Sequence, residues 1–430
     1  MKYYPALLIA LSAFVFSCTT KEEITIVTNT DDYEKYLEAD QDATLKSAIA
    51  ERDFWSKRLD VDSTGIGDLG PLAGAYTRIF EANGEVSNLK NAEILYKKAI
   101  SVASPSLKDA YIRSLSHNYI SQHKFKEANN LLEESYSGSS NKHATELMLF
   151  DSYMETGEYK KAKTILEKLK NESDYNYLIR VSKWSDHNGD LAAAIRYLEK
   201  ARDIAESRNS KPLKIWTYSN IADYYGHDGN IKASYNHFLK TLALQPDNAY
   251  AKKGIAWILY SSERNTLEAN RIVDSLIVHH DIPDYYLLKS EFAEYDGDEV
   301  SANTYKEKFI AKAENPAYGG MYNAYLIEVL AESNPEKALN IAKQEIENRA
   351  TPETYHLLAF AQLKNGMKDE ALHTIESNVE GKTSEPMALL HSAQVYKANG
   401  LSDKVGLIKE DLLEATYELG PLLAAEVKSL

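Results

Sequence analysis

The sequence predicts an all-α protein built as one array of helix pairs, and three observations support this prediction. Of 430 residues, 19 are Gly and 11 are Pro, about 7% in place of the roughly 12% of ordinary usage. These two residues supply the turns of loop-rich and all-β chains, so their scarcity favours long helices with short connections. Apolar residues recur at helical spacing, and the chain matches itself at a period near 34 residues.

Charge and cysteine content exclude several classes of protein. Lys and Arg number 49 against 64 Asp and Glu, which gives a formal net charge of -15. This excess of negative charge disfavours binding to phosphate backbones, so nucleic acid is not an expected partner. It equally disfavours electrostatic docking on an anionic membrane surface. The single Cys excludes an intrachain disulfide and a Cys-based zinc site.

The first element, residues 1–17, has the features of a lipoprotein signal peptide. Lys2 supplies the positive start, and residues 6–16 form a mostly apolar run that is too short for a membrane span of about 20 residues. The run ends at Ser17-Cys18 after Val15-Phe16, which resembles a bacterial lipobox, although Phe16 stands where a small residue is usual. The resemblance implies that Cys18 is lipidated and becomes the mature N-terminus. The alternative is a buried free Cys after an ordinary signal peptide.

Residues 18–32 are predicted to be a polar tether. Within it, Lys21-Glu22-Glu23 resembles the export signal of surface lipoproteins in one diderm bacterial phylum. The alternative is a solvated linker, which is polar because linkers must be. Together with the lipobox-like motif, this segment predicts an outer-membrane lipoprotein, held to the membrane through its N-terminal lipid. Periplasmic and surface-exposed locations both remain open.

The rest of the chain divides into a repeating array between two caps. Residues 33–68, with Phe54 and Trp55 among their apolar side chains, are predicted as N-terminal capping helices. Residues 69–415 form the array. Residues 416–430 are predicted as a C-terminal capping helix, and Pro421 is suited to begin it.

Each repeating unit is predicted to join two helices through a tight turn. In one unit, Tyr355 and Ala359 fall on one helix face. Asn365-Gly366 then supplies a left-handed stop, and the small Ala371 lets the second helix approach closely. One pair cannot bury its own apolar face, so its stability depends on stacking against neighbouring pairs.

This pattern occurs about ten times, and its spacing supports a regular period: Ala359 and Ala393 are 34 residues apart, as are Gly366 and Gly400. The units centre on residues 72–99, 115–128, Gly157, 194–201, Gly229, 255–269, 288–305, 325–338, Gly366 and Gly400. They resemble the tetratricopeptide repeat, a helix-turn-helix unit with large, small and aromatic residues at fixed positions. The resemblance implies a right-handed α-solenoid of about ten repeats with capping helices.

Motifs that suggest chemistry lack the structural context that they need. Residues 65–70 match G-x-G-x-x-G, but no buried strand pattern precedes them and Pro71 follows. A loop that begins like a calcium site at Asp60 has Pro71 where a bidentate Glu is required. His279 and His280 are adjacent, so on a helix they point about 100° apart. The sequence therefore predicts no cofactor, no metal site and no catalytic residue, and hence a protein that is not an enzyme.

The remaining candidates for function are groove residues. In arrays of this kind, the concave surface is lined by first-helix positions that the core does not use. Large aromatic side chains at such positions, together with Arg, are typical of protein interfaces. The alternative is that the register slips by one residue, which would place the aromatic residues in the core. The candidate positions are Arg113, His117, Asp151, Lys183, Lys253, Trp257, Tyr260, His356 and Phe360.

The leading functional hypothesis is a non-enzymatic, lipid-anchored scaffold that binds a protein or peptide partner in its concave groove. The alternative is a glycan- or nutrient-binding accessory lipoprotein of an outer-membrane uptake system, against which the low count of four Trp weighs. An enzyme with a site that shows no motif is a third class.

Overall fold

A computed structural model describes residues 24–59, 65–138 and 141–430. The predicted signal peptide and Cys18 lie outside the described residues. Within this part of the chain there are 23 α-helices, one short 3₁₀-helix and no strand, which confirms the all-α prediction. None of these helices is both long and apolar enough to cross a membrane.

The helices between Ile66 and Glu414 form ten successive pairs, which confirms the expected number of repeats. We call these pairs units 1 to 10, each with a turn inside the unit and a loop leading to the next. In chain order the pairs are α3 (Ile66–Asn83) with α4 (Ser87–Val102), α5 (Pro105–Ser121) with α6 (Phe125–Tyr136), α7 (Lys142–Glu155) with α8 (Tyr159–Lys168), α9 (Tyr175–His187) with α10 (Leu191–Ser207), α11 (Lys211–His227) with α12 (Ile231–Leu244), α13 (Ala249–Ser261) with α14 (Thr266–His279), α15 (Pro283–Tyr295) with α16 (Glu299–Ala313), α17 (Asn323–Ser333) with α18 (Pro335–Asn348), α19 (Pro352–Lys364) with α20 (Lys368–Asn378), and α21 (Pro386–Ala398) with α22 (Ser402–Glu414). Helices α1 (Thr30–Leu37) and α2 (Ala43–Arg58) precede them, α23 (Thr416–Ser429) follows, and the 3₁₀-helix Pro316–Tyr318 precedes unit 8.

The turn inside most units depends on one residue in the left-handed conformation. Gly366, in unit 9, has φ 77°, and nothing lies within 4 Å of where its Cβ would stand. Backbone freedom, and not lack of space, therefore requires glycine there, as the Asn365-Gly366 signal predicts. In units 2 and 6 the same turn uses His123 and Arg264, at φ 56° and 58°.

The core lies between the two helix layers and continues from unit to unit. Ala359 and Ala371 of unit 9 are fully buried, together with Ile375, and they share one cluster with Tyr396 of unit 10. Small side chains at the crossing let the helix axes approach, as the sequence pattern indicates. The stacking of units therefore buries what one pair leaves exposed.

The array curls so tightly that units six apart are in contact. A Cβ on Gly84, in the turn of unit 1, would stand 2.2 Å from Cγ2 of Ile282, which precedes unit 7. A Cβ on Gly157, in the turn of unit 3, would stand 2.7 Å from the carbonyl oxygen of Ala350, which precedes unit 9. One turn of the superhelix therefore takes six units, and successive turns touch along their edges.

Polar contacts link the same two turns of the superhelix. Asn348 Nδ2 donates to the carbonyl oxygen of His123 at 2.8 Å. The next residue, Arg349, lies 3.4 Å from a Glu155 carboxylate oxygen and over the ring of Phe125 at 5.1 Å. Units 2 and 3 are thus joined to the end of unit 8 by a hydrogen bond, an ion pair and a cation–π contact.

The N-terminal helices take two different positions. Helix α2 packs against α3 at the start of the array, whereas α1 lies along α12, in the middle of it. The ring of Tyr33 on α1 is buried and donates its hydroxyl to Glu268 at 2.7 Å. Farther along, Thr44 Oγ1 donates to Asp247 at 2.9 Å. The N-terminal segment therefore runs across the outside of units 5 and 6 before it reaches unit 1.

The C-terminal helix is interrupted at Gly420, which has φ 75° and ψ 168°. After this break, Pro421 begins the second half, which packs on unit 10: Gln394 donates to Glu426 at 2.7 Å, and Val427 joins the buried cluster there. Before the break, the first half reaches into the interior and contacts α11, α13 and α15.

Candidate functional site

The first helices of the units line an interior groove, and α23 enters it. Two cavities lie in this groove: Glu418 of α23 lines both, and Tyr417 lines one of them. The first, which we call the aromatic cavity, has a volume of about 590 Å³. The second, which we call the acidic cavity, has a volume of about 550 Å³. His227 and Glu418 line both cavities, so the two are adjacent compartments of one groove.

Helical periodicity builds the aromatic cavity. Four residues of α13 face it at positions i, i+3, i+4 and i+7, and four residues of α15 do so 34 residues later. Helices α11, α17 and α23 complete the wall, and a ring from α12 forms the floor. The lining residues are Asp223, Tyr224, His227, Phe238, Tyr250, Lys253, Gly254, Trp257, Asp284, Leu287, Leu288, Glu291, Tyr325, Tyr417 and Glu418.

Tyr417 is held in the groove by shape and by hydrogen bonds. Trp257 Nε1 donates to the Tyr417 carbonyl oxygen at 3.2 Å, and Ser261 Oγ donates to the same oxygen at 2.5 Å. A Cβ on Gly226 would stand 2.5 Å from Cε1 of the Tyr417 ring. The absence of a side chain at Gly226 therefore makes the space in which this ring lies.

The aromatic cavity combines exposed rings with carboxyl groups. Tyr250 and Tyr325 are 49% and 44% exposed, although both face the interior. Tyr250 Oη donates to Asp223 at 2.6 Å, and burial raises the pKa of Asp223. Burial also raises the pKa of Glu291 to about 7.

Negative groups outnumber positive groups in this cavity. Among the described residues that line it, four carry carboxyl groups and one, Lys253, is a lysine. Lys253 Nζ lies 3.7 Å from a carboxylate oxygen of Asp284, so that pair is neutral. The rings and the remaining carboxyl groups form a surface suited to a cation, because ring faces and carboxylates both attract positive charge.

The acidic cavity contains one neutralised carboxylate. Glu155 lies 2.8 Å from Lys183 Nζ and 3.4 Å from Arg349. Burial alone would raise the pKa of Glu155, but Lys183 and Arg349 hold it below its usual value. Both cations lie closest to Glu155; Lys183 also acts on Asp186, but burial of Asp186 has the larger effect and raises its pKa.

The other carboxyl groups of the acidic cavity repel one another. Enclosure by the cavity walls raises the pKa of Glu385 to about 7, and the neighbouring Glu418 adds to this effect. Enclosure, with Asp186 nearby, raises the pKa of Glu418 to about 7 as well. Near neutral pH these groups are therefore only partly ionised, and a bound cation would favour their ionised forms.

The predicted groove residues divide between several places. Lys253 and Trp257 line the aromatic cavity, and Lys183 lines the acidic cavity. Arg113 and His117 line a separate cavity of about 330 Å³ between units 1 to 3. Asp151 accepts a hydrogen bond from Arg180 at 2.6 Å. The structure therefore does not bring these positions into one continuous patch.

Three of the predicted groove residues lie in the core: Tyr260, His356 and Phe360 are 0%, 4% and 6% exposed. Tyr260 turns towards the ring of Phe292 on the next first helix, with ring centroids 4.7 Å apart. Phe360 stacks on His391 at 4.0 Å. These side chains fill the space between units. They therefore belong to the core, as the alternative interpretation of the sequence allowed, and they present no surface to a partner.

The buried His356 makes a hydrogen bond that its sequence position did not suggest. Its Nδ1 lies 2.9 Å from Nδ1 of His391. Burial lowers the pKa of His356 to about 3, and burial together with His356 also lowers that of His391. Both rings are therefore neutral, which allows one Nδ1 to donate and the other to accept.

Sequence reasoning missed several residues of the aromatic cavity. The repeat period would have found three of them, since Leu287 lies 34 residues after Lys253, Glu291 lies 34 after Trp257, and Asp223 lies 34 before Trp257. Tyr417 follows the last unit, so the period gives no indication of it. Within the described part of the chain, no group of three or more His, Cys, Asp or Glu side chains could hold a metal ion.

One stretch of the chain matches a known family of repeats. Residues 119–174 match the family model of the tetratricopeptide repeat. No curated protein sequence matches the chain.

Several solved structures are similar in fold. A tetratricopeptide repeat protein from Parabacteroides merdae is 17% identical over 58% of this chain and 94% of its own, with a TM-score of 0.40. Yeast Tom70 is 14% identical over 89% of this chain and 94% of its own, also with a TM-score of 0.40. Human IFIT1, solved as a dimer with m7Gppp-AAAA, is 17% identical over 68% of this chain and 73% of its own, with a TM-score of 0.37.

Proposed function

We propose that this chain of tetratricopeptide repeats is a non-enzymatic scaffold that binds a partner polypeptide in its interior groove. Basic side chains of the partner enter the groove. The observation that carries this proposal is the aromatic cavity, where, among the residues that the structure describes, exposed tyrosine rings adjoin four carboxyl groups and one lysine. Stacked helix pairs form extended concave surfaces that suit a polypeptide partner. The second part of the proposal is that a lipid on Cys18 anchors the scaffold at the bacterial outer membrane.

A Lys or Arg side chain matches the aromatic cavity in charge and in shape. Such a side chain has an apolar stem, which can lie against Trp257 and Leu288, and a charged end, which can reach Asp223 or Glu291. A cation over an exposed tyrosine ring contributes about 0.5–2 kcal/mol. Because bound positive charge favours the ionised carboxylate, binding near pH 7 should release protons from Glu291.

The chain offers a direct reporter of binding at this cavity. It contains four Trp, and one of them, Trp257, lines the aromatic cavity. Replacing Trp55, Trp184 and Trp216 by Phe leaves Trp257 as the single fluorescent tryptophan. We would titrate this variant with a short peptide of alternating Lys and Gly, and with a Glu and Gly peptide of the same length.

We expect the Lys and Gly peptide, but not the Glu and Gly peptide, to change the fluorescence of Trp257. Added salt should weaken binding of the Lys and Gly peptide. Asp223→Asn with Glu291→Gln should reduce affinity roughly tenfold, which corresponds to about 1.4 kcal/mol. The matched control carries the same charge change on the outer surface, at Glu172 and Asp203, and should bind as the parent does.

Equal binding of the two peptides, or unchanged affinity in the Asp223→Asn, Glu291→Gln variant, would reject the basic-peptide proposal. Binding to members of a glycan array by a protein that ignores both peptides would instead favour a nutrient-binding accessory protein. Turnover of any such ligand would contradict the non-enzymatic part of the proposal.

The lipid anchor is supported by the motif that ends at Cys18. Expressed with its own signal peptide in a diderm bacterium, the chain should yield an N-terminal peptide that starts at Cys18 and carries the mass of its acyl chains. Cys18→Ser should release the protein from the membrane fraction. Recovery of an unmodified Cys18 would reject lipid anchoring and leave the groove proposal standing.

A further inference from the structure

The segment that follows Cys18 is attached to the body of the protein. Glu263, which is 6% exposed, accepts hydrogen bonds at 2.8 Å from the backbone N–H of Val27, the backbone N–H of Thr28 and the hydroxyl of Thr28. Lys232 Nζ donates to the Val27 carbonyl oxygen at 3.2 Å. Residues 27 and 28 are therefore fixed against the turns of units 5 and 6.

This attachment limits how far the protein can stand from a lipid on Cys18. Six residue steps separate Cys18 from Ile24, and an extended chain spans at most about 3.5 Å per residue. Ile24 therefore lies within about 21 Å of the position of Cys18. The surface around the turns of units 5 and 6 is thus the part of the protein that this tether holds near the bilayer.

The same surface exposes apolar side chains. Leu267 and Val300 are 83% and 79% exposed, and Ile26 on the N-terminal segment is 65% exposed. Leu267 and Val300 lie in the first turns of α14 and α16, where water-facing side chains are usually polar. Exposed apolar side chains that are grouped on one surface are typical of an interaction site.

Contacts show that these residues lie along one edge of the array. Thr266 Oγ1 donates to Asp296 at 2.9 Å, which brings the starts of α14 and α16 together. Ile24 and Tyr295 line the same cavity, of about 650 Å³, beside the turn of unit 5. We call this surface, formed by Ile24, Ile26, Leu267, Tyr295 and Val300, the apolar edge.

Charges along the apolar edge do not favour an anionic surface. Lys232 and Arg264 adjoin it, but Asp296 and Asp298 lie in the turn of unit 7 and Glu299 begins α16, next to Val300. Attraction to acidic headgroups would therefore be weak. Insertion of apolar side chains into the headgroup boundary is the interaction that this surface supports.

We propose that the apolar edge lies on the phospholipid bilayer, with Leu267 and Val300 in the interface. The occupant is a membrane, because the attached N-terminal segment and the short span to Cys18 bring a bilayer to this edge. This inference rests on the proposed lipid anchor. It assigns the anchored protein a fixed orientation in place of free rotation on a flexible tether.

Fluorescence quenching by lipid measures this orientation directly. Lipidated full-length protein would be reconstituted in phosphatidylcholine vesicles that contain brominated lipid. Its native Cys is acylated, so a bimane label would react only with a Cys introduced by Leu267→Cys, Val300→Cys or Leu107→Cys. Leu107 is the matched control, because it is also an exposed Leu but lies in the first turn of α5, at the opposite edge of the array.

We expect quenching at positions 267 and 300 to exceed that at 107 several-fold, with no increase when anionic lipid is added. Equal quenching at the three positions in protein whose Cys18 lipid is confirmed by mass spectrometry would overturn the orientation alone. Quenching that occurs only with anionic lipid would show that charge, and not insertion of apolar side chains, holds this edge on the bilayer, and it would overturn the proposal. Absence of lipid on Cys18 would overturn the anchor and the orientation together.

Discussion

Trp257 donates its indole N–H to the carbonyl oxygen of Tyr417 at 3.2 Å, across 160 positions of sequence. This bond joins unit 6 to the segment that follows unit 10, so the end of the chain becomes part of the wall of its own groove. Removing the donor should therefore weaken the fold as well as the cavity.

Trp257→Phe should lower the free energy of unfolding by about 1–2 kcal/mol, because one hydrogen bond and part of a ring contact are lost. Urea unfolding followed by circular dichroism would measure the change. Trp216→Phe is the control, since Trp216 is 42% exposed and its ring meets that of Tyr175 edge-on, with centroids 6.3 Å apart; it should differ from the parent by less than about 0.5 kcal/mol. Equal effects of the two substitutions would contradict the assigned bond.

Substitutions at Gly226 and Gly406 together test whether the ring of Tyr417 packs against Gly226. Both are helical, but a Cβ on Gly226 would stand 2.5 Å from the Tyr417 ring, whereas nothing lies within 4 Å of one on Gly406. Gly406→Ala should stabilise the protein by about 0.5–1 kcal/mol through helix propensity. Gly226→Ala should instead destabilise it by about 1–3 kcal/mol, because the ring must move. Denaturation midpoints would measure both effects. If Gly226→Ala stabilised the protein as Gly406→Ala does, the ring of Tyr417 would not pack against Gly226.

Gly157 and Gly366 isolate the contact between turns of the superhelix. Both have φ 77°, but a Cβ on Gly157 would stand 2.7 Å from the Ala350 carbonyl oxygen and one on Gly366 would meet nothing within 4 Å. Gly366→Ala should cost about 1 kcal/mol of left-handed strain. Gly157→Ala should cost about 1–3 kcal/mol more and expand the molecule in small-angle scattering. If Gly157→Ala cost no more than Gly366→Ala and left the dimensions of the molecule unchanged, successive turns of the superhelix would not be in contact at Gly157.

The acidic cavity should make stability depend on pH. The pKa of Glu385 and that of Glu418 are raised to about 7, above the value near 4.3 of an unfolded Glu. Between these pH values the two groups bind more protons in the folded protein than in the unfolded chain. Their contribution to the free energy of unfolding therefore falls as pH rises from about 4.3 to 7, and it is level above that.

Replacing Glu385 and Glu418 by Gln should remove part of this decline in urea unfolding at pH 5, 6, 7 and 8. The control, Glu172→Gln with Glu376→Gln, alters exposed acids that pair with Lys200 and Lys404, and it should leave the slope between pH 5 and 7 as in the parent. A decline that persists in full in the Glu385, Glu418 variant would place its origin elsewhere.

The attachment of the N-terminal segment gives a fifth prediction. The N–H groups of Val27 and Thr28 both donate to Oε1 of Glu263. Glu263→Gln replaces this carboxylate oxygen by a neutral amide oxygen, which accepts more weakly, so both N–H groups should exchange with deuterium at least tenfold faster, for a loss of about 1.4 kcal/mol. Hydrogen-exchange mass spectrometry of the segment would measure this. Glu299→Gln, at an exposed position of α16, should leave exchange unchanged; equal exchange in both variants would contradict the assigned role of Glu263.

The fold was predictable because its causes are local. Gly366 in the left-handed conformation and the small Ala359 and Ala371 at the helix crossing are each visible in the sequence, and the 34-residue period repeats them. The number of units followed from the same pattern. Local signals recur in every unit, so an error in one does not change the architecture.

The candidate site was less predictable, because two neighbouring faces of a first helix carry similar side chains. Trp257 faces the cavity and Tyr260, three residues later, faces the core, yet both are aromatic residues on the same turn of the helix. The position of Tyr417 depends on how six units close into one turn, and that angle is a sum of small rotations that no single motif encodes. The N-terminal attachment to Glu263 joins residues more than 230 positions apart and has no periodic signal.

The contact between units six apart also bears on how this protein can change over time. In an open solenoid each repeat touches only its neighbours, so a repeat can be gained or lost without disturbing distant ones. Here the insertion of one unit would move every later unit by one place relative to the turn below it, and Gly157 would no longer meet Ala350. Contacts between distant units also tie early and late repeats into one cooperative transition. The contacts between units 1 and 7 and between units 3 and 9 should therefore disfavour the gain or loss of a unit between units 1 and 9.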